Sequence, residues 1–264
     1  LLTALFTIVN AQPRYAEHSK LASGKWVKIR VKSEGVYQLT SSTLKNMGFS
    51  NPEKVSLYGY NLPFLPEANI ENLDDDLTEI PLYRKTNGTL LFYSCGPTEW
   101  KRKNATSPYT HRNNPYSNYI YYFLTESAGK PAPLVKKDAA SVSTNAQSTY
   151  YTHTLREQDA YSFLNTGRTF FEQHDYASGN TQTYKLTFDN TSCGDIIIDV
   201  CFGAAGNSSS TLSVSAGGNS LGQLSFTKLA NYQYASVSSK SFTLYDQTAS
   251  SLNITLKHTR SSGV

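Results

Sequence analysis

The first strongly patterned stretch of the chain is Lys25-Trp26-Val27-Lys28-Ile29-Arg30-Val31. Apolar and basic residues alternate along it, so the apolar side chains share one face and Lys28 and Arg30 share the other. A period of two is typical of a β-strand with one buried face. Glu34-Gly35 then predicts a turn, and residues 36–39 predict a strand that returns alongside the first.

The same patterns continue through the first half of the chain. Thr40 or Ser41 can cap a short helix that runs through Met47 and ends at Gly48. Further strands are predicted at residues 55–58, 90–95 and 119–124, with a basic, Asn/Pro/Tyr-rich loop between the last two at residues 100–114. We therefore expect an N-terminal β-rich domain with a short helix over residues 25–126.

The second half reads as a separate β domain. Residues 127–148 are rich in Ala, Pro, Lys, Ser and Thr, which predicts a linker or long crossover. Beyond them, residues 157–164 resemble one short helix, and short apolar runs recur about every ten residues, at 150–154, 184–188, 196–202, 211–214, 221–226, 241–245 and 252–256. This spacing predicts a β-sandwich or jelly-roll-like domain at residues 149–264, so the expected fold class is mainly β.

Composition and charge exclude several function classes. The 264 residues are 39% hydrophobic and only 17% charged, which argues against a disordered tail or a coiled coil. The formal net charge of +4 is far below the concentrated basic surface that nucleic-acid binding uses. We expect a globular chain that does not bind nucleic acid.

The apolar start of the chain predicts export. Residues 1–11 end with Val9 and Ala11 at positions −3 and −1 to a cut before Gln12, as in the last part of a signal peptide. No later segment approaches the roughly 20 apolar residues that a membrane-spanning helix needs. We expect an exported protein without a transmembrane segment.

Cysteine and histidine spacing predicts neither a disulfide scaffold nor a metal site. Cys95, Cys193 and Cys201 cannot all pair within one chain, and buried free thiols are favoured, although one bridge stays open. The five histidines are scattered, and the spacings typical of zinc ligands are absent. We expect no cofactor and no metal.

Two local features invite a chemical interpretation, and each has a simpler one. Cys95 ends a strand just before Gly96-Pro97, where a nucleophile could sit, but a packed core thiol fits the apolar run before it better. The acidic triplet at residues 74–76 could bind calcium, yet it lacks the alternating ligands of a calcium loop. A solvated loop or helix cap is the favoured interpretation of the triplet.

Aromatic residues of the predicted loop and its flanks are the candidate binding site. Tyr and Trp give large contact areas at low cost in conformational entropy, so the loop could contact sugar rings or a partner protein, unless its rings pack into the core. Arg168 could bind an acidic partner or form an ion pair with Glu172. The candidate binding residues are Trp100, Tyr109, His111, Tyr116 and Arg168.

A series of short motifs runs in order from Trp26 to Arg168. They are WVKI at 26–29, EGVYQLT at 34–40, LYG at 57–59, DDLTEIP at 75–81, LFY at 91–93, GP at 96–97 with Trp100, His111 with NNPYS at 113–117, YYFL at 121–124 and NTGR at 165–168. Together they resemble the N-terminal, non-catalytic region of PorU-type sortases, the gingipain-like cysteine peptidases of the type IX secretion system in Bacteroidetes. From residue 183 onward the similarity is only general β character.

The resemblance implies a role for the parent protein rather than a catalytic role for this chain. PorU-type sortases remove C-terminal sorting domains from secreted cargo and join the cargo to an anionic lipopolysaccharide at the outer membrane. Their catalytic His and Cys lie in a caspase-like α/β domain, and no such pattern occurs here, so no catalytic residue carries over to any position of this sequence. The resemblance implies a non-catalytic segment at the cell surface, outer membrane or periplasm. Its implied partners are cargo sorting domains, outer-membrane secretion components or its own catalytic domain.

Two alternatives come from other function classes. A glycan-binding β-sandwich module of an exported surface protein would use the aromatic loop as a sugar platform. An independent cysteine peptidase would use Cys95 and would cleave substrates in a thiol-dependent way.

Overall fold

The computed structural model divides the chain into two compact units, Leu1–Thr144 and Asn145–Val264. It describes residues 15–66, 68, 74–104, 107–127, 150–165, 169–176 and 179–260, with the side chains of 189–193 left out. The predicted signal-peptide remnant at 1–11, residues 128–148 of the predicted linker and Arg168 lie outside the described residues. In both units the regular secondary structure is mainly antiparallel β-strand, so the predicted fold class is confirmed.

The first unit combines one short α-helix with three small antiparallel sheets in its described part. Its strands are β1 (Val27–Val31), β2 (Gly35–Leu39), β3 (Val55–Gly59), β4 (Thr78–Ile80), β5 (Tyr83–Arg84), β6 (Leu90–Ser94), β7 (Thr98–Lys101), β8 (Thr110–Asn113) and β9 (Ile120–Glu126), and its helix is α1 (Ser41–Asn46). Single 3-10 turns lie at Lys20–Ala22 and Pro52–Lys54. The sheet orders are β1-β9-β3-β4, β2-β6-β5 and β7-β8.

The predicted pairing of the first two strands is wrong. β1 pairs with β9, whereas β2 pairs with β6 in another sheet. The apolar face of β1 explains the choice, because each of its residues lies opposite an apolar residue of β9, for example Ile29 opposite Tyr122. The partner of β1 therefore comes from about 90 residues further along the chain.

Aromatic rings join the two larger sheets in a common core. Tyr37 of β2 stacks on Phe92 of β6 with ring centroids 5.7 Å apart, and Phe92 meets Tyr122 of β9 edge-on at 5.3 Å. The predicted helix is confirmed as α1, whose first turn is capped by the Thr40 side chain accepting from the Thr43 N–H. Leu44 of α1 is fully buried in the same core.

The loop predicted at residues 100–114 belongs to a β-hairpin, with strand residues at 100–101 and 110–113. β7 and β8 form a two-stranded sheet with Trp100 opposite His111 and Glu99 opposite Arg112. Pro108 and the surrounding polar residues hid the pattern, since the strands carry too few apolar residues to show a period of two.

The second unit is built from two very long strands and one hairpin. Its strands are β10 (Thr181–Ala204), β11 (Ser210–Ala216), β12 (Asn219–Phe226) and β13 (Ser236–Arg260), in the order β10-β13-β11-β12. The predicted strands at 184–188 and 196–202 both lie in β10, and those at 241–245 and 252–256 both lie in β13. The segment 150–154 has no regular structure, and the predicted helix at 157–164 reduces to a 3-10 turn at Phe163–Asn165.

The long strands were predicted as separate pieces because both are interrupted at the same level of the ladder. The register shifts between Thr187 and Ser192 and again between Gly194 and Ile196, opposite the middle of β13. The pairing of β10 with β13 continues on both sides of these shifts, and one hydrophobic core draws residues from both halves of each strand and from the β11–β12 hairpin. The four strands belong to one antiparallel sheet, so the β-sandwich or jelly-roll arrangement of this unit stays a prediction.

Candidate functional site

Three of the predicted binding residues come together on the β7–β8 hairpin. The Trp100 ring lies 5.2 Å from the His111 ring and meets the Tyr109 ring edge-on at 6.3 Å. Trp100 and Tyr109 are half-buried, whereas His111 is exposed. The cross-strand pairing of the hairpin positions this aromatic cluster, which we call the hairpin cluster (Trp100, Tyr109, His111).

Charged side chains flank the hairpin cluster. An open groove of about 240 Å³ is lined by Glu99, Lys101, Thr110, His111 and Arg112. Lys101 and Glu99 form an ion pair with Nζ and Oε2 2.9 Å apart. The Arg102 guanidinium lies over the Tyr109 ring, 4.9 Å from the ring centroid. The groove thus places charged and polar side chains of both signs beside the rings of the hairpin cluster.

The other two predicted residues do not join this cluster. The Tyr116 side chain is 80% exposed in a turn that the Asn114 side chain stabilises by accepting from the Tyr116 N–H at 2.9 Å. Arg168 lies outside the described residues. Its suggested partner Glu172 binds Arg156 instead, through two hydrogen bonds of 2.8 and 3.0 Å.

Cys95 lies in a structural setting rather than a catalytic one. Burial raises the pKa of its thiol, which lowers the thiolate fraction at neutral pH. Its backbone N–H donates to Asn61 Oδ1 at 3.4 Å, and the same oxygen accepts from the fully buried Tyr122 hydroxyl at 2.7 Å. Among the described residues, neither of the free thiols, Cys95 and Cys201, hydrogen-bonds to a histidine.

The acidic triplet is a structural element. The Asp76 carboxylate accepts from the backbone N–H groups of Lys20 at 2.7 Å and Leu77 at 2.8 Å, and the Asp75 carboxylate accepts from the Ala16 N–H. These backbone hydrogen bonds, the one from Lys20 first, lower the pKa of Asp76. The described residues contain no group of three His, Cys, Asp or Glu side chains placed to hold a metal. The triplet therefore holds the segment before β1 in place.

Sequence reasoning missed a second surface on the outer face of β1 and β9. Lys28 Nζ lies 3.9 Å from the Tyr121 ring centroid, and the Arg30 guanidinium lies 4.6 Å from the Tyr119 centroid. Both cations are exposed. The alternating charges of β1 and the tyrosines at 119 and 121 were the available signal, but only the pairing of β1 with β9 brings them together.

These features define a class: a two-unit, mainly β protein with a cluster of aromatic and charged side chains on one hairpin. A solved structure similar to it is that of dimeric latent PorU from Porphyromonas gingivalis, with a TM-score of 0.76 and 30% sequence identity. The similarity covers 93% of this chain and 24% of the PorU chain, so the chain spans about a quarter of that protein. The resemblance to PorU predicted from the sequence motifs is thereby confirmed.

Other comparisons define no further relationship. No protein-family model and no curated protein matches the chain. None of the helices in the described ranges is long and apolar enough to cross a membrane.

Proposed function

We propose that this chain is a non-catalytic docking segment of a PorU-like sortase of the type IX secretion system, exported to the cell surface, outer membrane or periplasm. The observation that carries the proposal is the similarity to PorU over 93% of the chain at 30% identity. In this role the segment holds cargo sorting domains, or secretion components of the outer membrane, close to the catalytic domain of the parent protein. We assign the removal of the sorting domain to the catalytic domain of the parent protein.

The state of the described thiols supports a role without catalysis. A cysteine nucleophile acts as the thiolate and needs a base or a lowered pKa, whereas burial raises the pKa of Cys95. The Cys95 backbone is tied to Asn61, whose side chain also binds Tyr122. A residue held in this way contributes to packing.

The hairpin cluster supplies a candidate contact surface for docking. Its half-buried rings and the flanking groove combine aromatic area with charges of both signs. Aromatic residues within a polar rim are typical of protein interfaces. We assign the hairpin cluster to the first contact with cargo or secretion partners.

A binding experiment tests the docking role. The purified chain is titrated with a purified C-terminal sorting domain of a type IX cargo protein, and the affinity is compared with that of two variants. We expect His111→Ala, which removes an exposed ring, to weaken binding, and the matched Tyr245→Ala change in the second unit to leave it unchanged. Absence of binding between wild-type chain and sorting domain at several salt concentrations would contradict the docking role.

The glycan-binding alternative has less support from the geometry of Trp100. Sugar platforms present an open ring face, but the Trp100 ring is half-buried and contacts both His111 and Tyr109. A glycan array separates the two functions, because strong binding that is lost in Trp100→Ala would favour the sugar platform over the docking segment.

A further inference from the structure

The free edge of β1 carries a row of basic side chains. Four of the eight residues in Lys25-Trp26-Val27-Lys28-Ile29-Arg30-Val31-Lys32 are basic, and none is acidic. β1 is an edge strand, because β9 is its partner in the order β1-β9-β3-β4 and no other described strand pairs with it. Lys28 and Arg30 project from the exposed face, about 7 Å apart as alternate residues of a strand.

Carboxylates do not neutralise these two cations within the described ranges. The ion pairs found there involve other residues, and the interactions of Lys28 and Arg30 are with Tyr121 and Tyr119. Glu79 shares this face of the sheet, but it lies on β4 at the opposite edge. In the described part of the chain, two cations without a carboxylate partner therefore lie over aromatic rings beside the edge of β1 that pairs with no strand.

We propose that the β1 edge binds an extended acidic peptide strand by strand addition. A strand hydrogen-bonded to β1 would place alternate side chains directly opposite Lys28 and Arg30, with Cβ atoms about 5 Å apart. Carboxylates at alternate positions of the peptide have the same spacing as Lys28 and Arg30 and carry the opposite charge. The inference rests on the proposed docking role, for which it names a surface and the chemistry of a partner.

Other occupants fit the same edge less well. A second copy of this chain pairing through β1 would set Lys28 and Arg30 against basic side chains, and like charges directly opposite destabilise a sheet. A sugar polymer would need open aromatic faces, but Lys28 covers Tyr121 at 3.9 Å and Arg30 covers Tyr119 at 4.6 Å. An acidic peptide uses both the charges and the free backbone groups of the edge.

The test uses the whole chain and a synthetic octapeptide in which Glu alternates with Val. A second peptide has Gln in place of each Glu, and a third carries N-methyl groups on alternate amides. We expect the acidic peptide to bind below about 1 mM and the other two to bind at least about tenfold more weakly. Equal binding of the Glu and Gln peptides, or no binding of the Glu peptide, overturns the proposal. Equal binding of the N-methylated peptide overturns strand addition.

Charge reversal locates the site. The double variant Lys28→Glu/Arg30→Glu should bind the acidic peptide at least about tenfold more weakly. The matched variant Lys185→Glu/Lys257→Glu, on the second-unit sheet, should bind like the wild type. If the first variant does not fold, Lys28→Gln/Arg30→Gln replaces it. Wild-type affinity in the folded β1 variant overturns the assignment to β1.

A parallel titration with the sorting domain keeps the two proposals separate. Failure of the sorting domain to bind wild-type chain that still binds the acidic peptide would contradict the docking role while leaving the β1 site in place. If the wild-type chain binds the sorting domain but not the acidic peptide, the docking role is supported and the β1 site is contradicted.

Discussion

Replacing Tyr122 with Phe should destabilise the first unit more than the loss of a single oxygen atom suggests. The ring is fully buried between the two larger sheets, and its hydroxyl lies 2.7 Å from Asn61 Oδ1 and 3.0 Å from Ser94 Oγ. Without the hydroxyl, Asn61 Oδ1 still accepts a hydrogen bond from the Cys95 N–H at 3.4 Å. Ser94 Oγ still accepts one from the Gly96 N–H at 3.3 Å. Both remaining contacts are long, so the buried Ser94 hydroxyl and the half-buried Asn61 side chain lose their best partner.

The expected cost in the free energy of unfolding is about 2 kcal/mol. A buried hydrogen bond contributes roughly 0.5–1.5 kcal/mol, and leaving its partner unsatisfied costs roughly 1–3 kcal/mol. Phe fills the remaining volume, so no large cavity adds to this cost. Tyr121→Phe is the matched control, because this neighbour in β9 points to the opposite face and is 38% exposed. We expect the control to stay within about 0.5 kcal/mol of the wild type.

Urea unfolding followed by tryptophan fluorescence measures this cost in the first unit alone. The only tryptophans of the chain are Trp26 and Trp100, and both belong to that unit. The midpoint should fall for Tyr122→Phe while the slope with urea stays constant. A Tyr122→Phe midpoint within the error of the Tyr121→Phe control would refute the reasoning that the hydroxyl satisfies the polar groups around it.

The remaining predictions concern the same region. Gly96→Ala should cost at least about 2 kcal/mol in urea unfolding, because Gly96 has a φ of +68° and a Cβ there would lie 2.5 Å from the Glu34 nitrogen; an unchanged midpoint would contradict this. Iodoacetamide at pH 7.5 should modify the exposed Cys201 faster than Cys95, because burial and a raised pKa reduce the reactivity of Cys95. Peptide mass mapping measures the two rates, and equal rates would contradict this prediction. Burial raises the pKa of Tyr122 to about 12, whereas an unfolded tyrosine ionises near 10. The unfolded state then binds fewer protons between about pH 10 and pH 12, so stability should fall as pH rises through this range, and Tyr122→Phe should lose its share of that dependence in thermal melts.

Local patterns were sufficient for strands whose apolar residues form one clear face or one continuous run. The predicted bounds of β1, β6 and β9 lie within about two residues of the observed ones, because the apolar residues of these strands alternate or run together. α1 was predicted by its cap at Thr40 and its stop at Gly48, two signals that depend only on neighbours in the chain.

Patterns failed where strands carry few apolar residues or are interrupted. The β7–β8 hairpin is mostly polar, so its sequence resembles a loop. The sequence predicts β10 and β13 as separate pieces, because the register of their pairing shifts near the middle and the period of two is broken there.

The candidate site was only partly accessible from the sequence. Trp100, Tyr109 and His111 were singled out as aromatic loop residues, and the structure brings them together on one hairpin. Tyr116 lies apart from them on a turn. The pairs Lys28–Tyr121 and Arg30–Tyr119 went unnoticed, because each joins positions about 90 residues apart.

The sequence by itself determined the class of fold, the position of most strands in the first unit, the helix cap and the resemblance to PorU. Each of these depends on periodicity, on capping or on short motifs, which are properties of adjacent residues. The tertiary structure alone decided that β1 pairs with β9, that Tyr122 shares Asn61 with Cys95, and that the cations of β1 lie over tyrosines. The physical reason is that these contacts join residues far apart in the chain. They form only when long loops close and complementary apolar faces pack together, and no local pattern specifies which faces pair.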